Sequence, residues 1–525
     1  NFQTMPVADV SSFKSVPVSW QVIKAVGVSA TSSVLSGYDQ GVIAAAMLTM
    51  KPDLNLSTIE EETSIGILNV AAALGGLMAG QVADRFGRRW TLAVANILFF
   101  LGSVLLAGCN DFGLLIFGRI LMGFGVGIAL VTAPMFTAEL VPADKRGGLV
   151  AMCDVSTNLG ILLGYSAGLI FFGVDQGWRA MFVLGAAPAL LLLLCLPSVP
   201  ESPRWLVAQG RVDDARAVLV SLSGAGSGAN AAAVAAEAEG QLEQIAQAQA
   251  EDEDGKLVAW GEVLWPTDPV IRQMVFVGMG VAFFSQATGT EAAVYYTPQI
   301  LKSAGIKSDW DVLVATMLVG LCKVLSLILA TMLFDRKGRK PMLLISAAGL
   351  AFSFCVEGGS SLMGGQGAAP VLAVLGLCLY MSAFSLGFSP LTYVVCTEVF
   401  PSRIRAKALS VALFVTRVIA GLVSMSFKSL LQALTPPGVW FGFAFVSCCA
   451  FVFVLHYLPE TKGLRLEEVH SIFMRYAAPA HENDKYLNAN EDNGRDSGSS
   501  GSSQKQKAAS LLKPSTISSE RNPLV

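Results

Sequence analysis

Apolar runs of about 20 residues or more recur along this chain, each long enough to cross a hydrocarbon layer about 30 Å thick as a helix. They fall at approximately 20–47, 64–83, 90–109, 113–138, 148–172, 179–198, 272–300, 312–334, 341–359, 370–395, 407–433 and 438–458, about twelve spans in all. Composition agrees with lipid as part of the solvent. Only 14% of the 525 residues are charged, where a soluble globular chain has about 25%, and the mean hydropathy is +0.58. In hydrocarbon each segment must satisfy its own backbone N–H and C=O groups, so the expected fold is an all-α membrane protein of twelve transmembrane helices.

Charge is confined mostly to the loops. Arg85, Arg88, Arg89, Lys145, Arg146, Arg336, Lys337, Arg339, Lys340, Arg403, Arg405 and Lys407 lie in alternate short loops. The first loop on the other side offers Lys51 against Asp53, Glu60, Glu61 and Glu62. The positive-inside bias then puts the basic loops, and both termini, in the cytoplasm. No methionine precedes Asn1, as in a truncated chain, and nothing there resembles a signal peptide.

The chain also repeats itself. Glu139-x-x-Pro142-x-x-x-Arg146 returns as Glu398-x-x-Pro401-x-x-x-Arg405, 398 − 139 = 259 residues later. PESPRW at Pro200 returns as PETKG at Pro459, with 460 − 201 = 259 between Glu201 and Glu460. GQVADRFGRR at 80–89 returns as FDRKGRK at 334–340, with 335 − 84 = 251 between Asp84 and Asp335. A bias toward basic loops would supply the Arg and Lys but not the matched Glu, Pro and Gly, so two pseudo-symmetric halves of six helices are expected. The domain reading is a cytoplasmic segment 1–18, a bundle 19–198, a cytoplasmic linker with helices 199–271, a second bundle 272–458 and a largely disordered cytoplasmic tail 459–525.

Several functions are disfavoured. There is no G-x-x-x-x-G-K-[ST] phosphate loop, and the three histidines lie near or beyond the last span, so neither an ATP-driven machine nor a histidine enzyme is expected. The nine cysteines form no CxxC pair; Cys153, Cys195, Cys322, Cys378 and Cys448 read as small buried hydrophobes. No metal, cofactor or nucleic acid is implied.

The motifs GYDQG at Gly37, GQVADRFGRR, GRILMGFGVG at Gly118, PMFTAELVPADKRG at Pro134, PESPRWL, GTEAAVYY at Gly289, FDRKGRK, TEVFPSRIRA and LPETKG span about residues 30–470. The sequence in them resembles the sugar porters of the major facilitator superfamily. FFSQATGTEAAVYYTPQILKSAGI, NLGILLGY and TRVIAGLVSMSF look most like the plant-type polyol transporters. The resemblance implies a monomeric, proton-coupled symporter of a polyol or monosaccharide, working by alternating access in a plasma membrane rather than a vacuolar one. The open alternatives are a proton-independent facilitator and a non-transporting nutrient sensor on the same fold.

Six ionisable residues fall within the spans away from the loops: Asp39, Arg119, Asp154, Glu291, Lys323 and Arg417. Intramembrane charges of this kind are expected to face a wet cavity and one another. Three acids against three bases leave that cavity formally neutral, which suits a neutral substrate rich in hydroxyls. Asp39, about eight residues before the end of the first span, and Arg119, about six after the start of the fourth, would sit at one depth of roughly 10 Å and pair. Arg119 cannot lose its proton, so Asp39 would carry the proton and Arg119 act as the switch; a static ion pair is the alternative.

By position in the family motifs, the resemblance implies a substrate site of Asp154, Ser285, Gln286, Glu291, Tyr295, Tyr296, Lys323, Tyr393, Thr416 and Arg417. Family members commonly carry neutral amides where Asp154, Glu291 and Lys323 stand and tryptophan for Tyr393, departures that favour a polyol over glucose. The ATGT segment before Glu291 is expected to let its helix bend as an outer gate. The resemblance further implies a cytoplasmic gating network of Gly80, Asp84, Arg85, Arg88, Arg89, Glu139, Arg146, Glu201, Arg204, Asp335, Arg336, Arg339, Glu398, Arg405 and Glu460.

Overall fold

The computed structural model describes residues 19–141, 146–223, 231–255, 260–401, 403–462, 469 and 472–474. The expected N-terminal segment and disordered tail lie almost wholly outside them. All regular structure among the described residues is helical. The first six helices are α1 (Trp20–Asp53), α2 (Thr58–Phe86), α3 (Arg88–Gly108), α4 (Phe112–Leu140), α5 (Arg146–Ile170) and α6 (Gly177–Cys195). Four follow that are too short or too polar to cross a membrane: α7 (Pro203–Ala208), α8 (Val212–Leu222), α9 (Ala231–Gly255) and α10 (Trp260–Leu264). The remainder are α11 (Pro269–Ala287), α12 (Thr290–Ser303), α13 (Asp309–Lys337), α14 (Arg339–Leu362), α15 (Ala369–Leu386), α16 (Phe388–Val399), α17 (Arg405–Leu434) and α18 (Pro436–Tyr457).

Eleven helical stretches among the described residues are long and apolar enough to cross a membrane, with α11–α12 and α15–α16 each forming one broken span. The twelfth is α1. Its serines, Asp39 and Gln40 dilute its apolarity, and it tolerates them because Ser29, Ser32, Ser33, Ser36, Asp39 and Gln40 are all buried against protein rather than lipid.

The two halves repeat each other helix for helix. In the first, α1 packs on α5 and α6, α2 on α4, and α3 on α4 and α6; in the second, α11 packs on α17 and α18, α13 on α15, and α14 on α15 and α18. The halves meet through the symmetric pairs α2 with α17 and α5 with α13, and through α1 with α12. Small residues make the closest approaches possible. A Cβ on Gly37 would fall 1.8 Å from the Thr157 carbonyl oxygen and one on Gly160 2.1 Å from that of Val34, so α1 and α5 touch backbone to backbone.

Three expectations need correction. The hydropathy pattern ends the first span at residue 47, but α1 continues to Asp53, which puts Asp39 14 residues from its end (53 − 39) instead of about eight. Of the five cysteines read as buried, Cys195 and Cys448 are exposed and Cys322 and Cys378 half-buried, because a helix face that meets lipid is as apolar as one that meets the core. Glu357 on α14, 2% exposed, adds a seventh intramembrane ionisable residue; it lies too near the expected span end at 359 to have been counted.

The arginine-rich end of the bundle explains the duplicated motifs. Gly87 and Gly338 hold positive φ angles of 92° and 96° and start α3 and α14, where the first backbone N–H groups have no intrahelical partner. The Glu201 carboxylate accepts from the N–H groups of Arg88 at 3.0 Å and Arg89 at 3.2 Å. Glu460 accepts from those of Arg339 at 3.0 Å and Lys340 at 3.1 Å. Each carboxylate thus caps a helix N-terminus and complements its dipole. Only glycine fits beside it: a Cβ on Gly87 would lie 2.4 Å from Glu201 Oε2, and one on Gly338 2.7 Å from Glu460 Oε2.

Candidate functional site

Asp39 and Arg119 come together inside the first half, with Asp39 Oδ1 2.7 Å from Arg119 Nη1 and both side chains fully buried. Arg119 is held from the other side as well. Its Nε donates to the Ser64 carbonyl at 2.8 Å and its Nη2 to that of Ile65 at 3.3 Å, so three elements, α1, α2 and α4, share one guanidinium. Asp39 Oδ2 has no hydrogen-bond partner. A buried charge pair of this kind is costly to break, since loss of one partner strands the other charge at about 3–5 kcal/mol.

A second cluster lies between the halves. The helix expected to bend is interrupted: α11 ends at Ala287, Gly289 takes a φ of 82°, and α12 restarts at Thr290. The break places Glu291 in the first turn of α12, where its Oε1 meets Arg417 Nη1 of α17 at 3.3 Å. Arg417 Nη1 also donates to Asn69 Oδ1 at 3.4 Å, and Asn69 Nδ2 donates to the Tyr295 hydroxyl at 3.2 Å. These contacts cross from α2 to α12 and α17. Lys323 on α13, 6% exposed, stands within electrostatic reach of Glu291, Asp154 and Arg417, so acids and bases gather in one cluster. Asp39 is within reach of Glu291 too.

Polar atoms are left over in this cluster. Gln286 Oε1, Glu291 Oε2 and Arg417 Nε are buried without a hydrogen-bond partner. Buried polar groups are normally satisfied, so an acceptor–donor set of this kind is suited to a ligand that presents several hydroxyls. Tyr393 on α16, 37% exposed, shares a hydrogen bond of 3.2 Å with Thr416 and stands near Arg417. Two expected site residues use their hydroxyls elsewhere: Ser285 donates to Ala282 O at 2.8 Å, and Tyr296 donates to Ser424 O at 2.9 Å while stacking on Phe427.

The expected network at the arginine-rich end is only partly within the described side chains. Arg88 bridges Asp84 at 3.3 Å and Glu139 at 3.0 Å; in the second half Arg339 meets Glu398 at 3.0 Å. These pairs tie helices of one half to each other. Arg89 Nη1 donates to Val199 O, the Arg85 guanidinium lies over the Phe86 ring, and Arg405 Nε donates to Phe400 O. Burial pushes the Glu201 carboxyl above its ordinary range, an effect that the N–H groups of Ser202, Arg89 and Arg88 oppose. Arg204 stands exposed on α7, and Gly80 on α2 has open space where a Cβ would be. The side chains of Arg146, Asp335 and Arg336 lie outside the described residues.

Asn69 was missed in the sequence, although the signal was there: an amide between Leu68 and Val70 in an otherwise apolar span is itself costly in lipid. Residues 25–473 match the family model described as "Sugar (and other) transporter". The chain belongs to this sugar transporter family, within the major facilitator superfamily. The transporter is 38% identical to "Probable polyol transporter 4" of Arabidopsis thaliana over 84% of this chain and 83% of that one. "Polyol transporter 5" of the same plant is 36% identical over 84% of each chain. Among solved structures, the inward-open xylose transporter XylE from E. coli is similar, with a TM-score of 0.71 and 27% identity over 86% of this chain and 99% of that one. XylE described as a proton:xylose symporter bound to 6-bromo-6-deoxy-D-glucose gives a TM-score of 0.70 at 27% identity, with the same coverage. The transporter is thus an integral, multi-pass sugar or polyol carrier.

Proposed function

We propose that the transporter is a proton-coupled symporter of a polyol or monosaccharide, working by alternating access, with the arginine-rich end and both termini in the cytoplasm and the plasma membrane as its site. The observation that carries this is the buried Asp39–Arg119 pair with Oδ2 of Asp39 left over, one oxygen on which a proton can sit. Proton coupling in a relative supports it, since XylE is described as a proton:xylose symporter. Asp39 carries the proton and Arg119 holds the deprotonated carboxylate until the helices shift.

Substrate is held by Asp154, Gln286, Glu291, Tyr295, Lys323, Tyr393, Thr416 and Arg417, with Asn69 added. Ser285 and Tyr296 support the site from behind. The cluster holds both acids and bases, each able to take one hydroxyl of a polyol or monosaccharide. The networks around Arg88 and Arg339 keep each half rigid as it rocks. The protein acts as a monomer with lipid, protons and the small substrate as its partners.

The test is current in voltage-clamped oocytes supplied with polyols and monosaccharides at acidic and neutral external pH. Inward current that grows with acidity and vanishes in Asp39→Asn at equal surface expression is the expected result. Radiolabelled uptake without current at any pH overturns symport and leaves a facilitator; substrate binding without uptake leaves a sensor.

A further inference from the structure

Opposite the arginine-rich end, two adjacent carboxylates reach across the boundary between the halves. Glu61 and Glu62 sit in the first turns of α2, 1% and 3% exposed respectively. Glu61 is bridged by two lysines: Lys51 of α1 at 2.6 Å and Lys428 of α17 at 2.5 Å. Gln299 of α12 donates to the same carboxylate at 3.5 Å. Glu62 accepts from both the N–H of Ser429, at 2.8 Å, and its hydroxyl, at 2.5 Å. Of these five contacts, four come from the second half. Lys428 also lies over the Tyr296 ring, 5.8 Å from its centroid.

The packing below follows the same line. A Cβ on Gly66 would lie 2.8 Å from the Gly421 carbonyl oxygen and 2.3 Å from Met425, so α2 and α17 are in backbone contact one turn beneath the carboxylates. Further along α2, Gly80 faces open space. The halves therefore meet closely at the Glu61 end. Charged groups this buried, each with several partners, form a two-position element: held when the halves meet here, and released to water when they part.

We propose that Glu61 and Glu62 are the latch of the outer gate, and that their contacts with Lys428 and Ser429 set the balance between the inward-facing and outward-facing states. This rests on the alternating-access reading and the assigned orientation but not on proton coupling. The two residues touch no substrate; they are positioning residues. Weakening them favours the state open to the outside, which lowers the KM for external substrate while slowing the return step that limits turnover.

The experiment places a cysteine at Ser424, one turn below Lys428 on the same face of α17, in the full chain in cells. An impermeant methanethiosulfonate reagent is applied from outside without a proton gradient. Lys428→Met should raise the labelling rate of that cysteine on the order of tenfold, Glu61→Gln, which also releases Lys51 and Gln299, at least as much, and the double variant no more than Glu61→Gln alone, because the Lys428 contact is already lost there. Ser429→Ala, which removes no charge and should fold where the others do not, should raise it by about twofold. Rates equal to the parent in Ser429→Ala and Lys428→Met, or effects that multiply in the double variant, overturn the latch. Symport can fail independently, since the current lost in Asp39→Asn is a separate readout.

Discussion

Glu201 and Glu460 occupy equivalent places in the two halves, each presenting its carboxylate to the opening N–H groups of a helix that follows a left-handed glycine. The motif pair PESPRW and PETKG is therefore a repeated helix cap, and its energetic role follows from the N–H groups it satisfies.

Glu201→Ala and Glu460→Ala should each destabilise the protein by about 1–2 kcal/mol, the usual cost of losing a helix cap. The two sites are in different halves, so the losses should add. Thermal melting in detergent reads this directly; a double variant that melts with the parent refutes the cap.

Asp39 and Arg119 should respond unequally. Asp39→Asn keeps a hydrogen-bonding side chain beside the guanidinium, whereas Arg119→Leu strands a carboxylate with no other described partner at a cost of about 3–5 kcal/mol. Fluorescence size-exclusion profiles and melting should show Arg119→Leu clearly less stable than Asp39→Asn. Equal behaviour would mean that Asp39 is already neutral in the resting protein.

Backbone contact between α1 and α5 leaves no room for a side chain. Gly160→Leu should abolish assembly of the first half, because even its Cβ would lie 2.1 Å from the Val34 carbonyl oxygen. Gly148→Ala on the same helix, with nothing within 4 Å of the added Cβ, serves as the control and should express normally.

Asn69→Ala removes the amide that joins the Tyr295 hydroxyl to Arg417. Two buried groups then lose a partner, and the KM for uptake should rise on the order of tenfold, with some loss of melting temperature beside it. An unchanged KM with a lowered melting temperature would make Asn69 a packing residue alone.

Much of this was legible along the chain. The twelve spans, the duplication, the break at ATGT and the identity of the charges in the membrane all follow from one-dimensional features, because a hydrocarbon solvent forces helices of fixed length and makes each internal charge stand out. The pairing of Asp39 with Arg119 followed too, from matched depth on two helices, even though the depth itself was set too shallow by a span that looked shorter than α1 is. What the order of residues could not supply was helix rotation. Apolar faces toward lipid and toward protein read alike, so Cys195 and Cys448 were misplaced and Glu357 passed unnoticed. Contacts such as Asn69 with Arg417, or Glu61 with Lys428, join residues more than 300 positions apart, and only the packing of α2 on α17 brings them within hydrogen-bond distance. The sequence determined which helices form and which charges enter the membrane; the tertiary structure decided which charge answers which, since that depends on how each helix is turned when the two halves close.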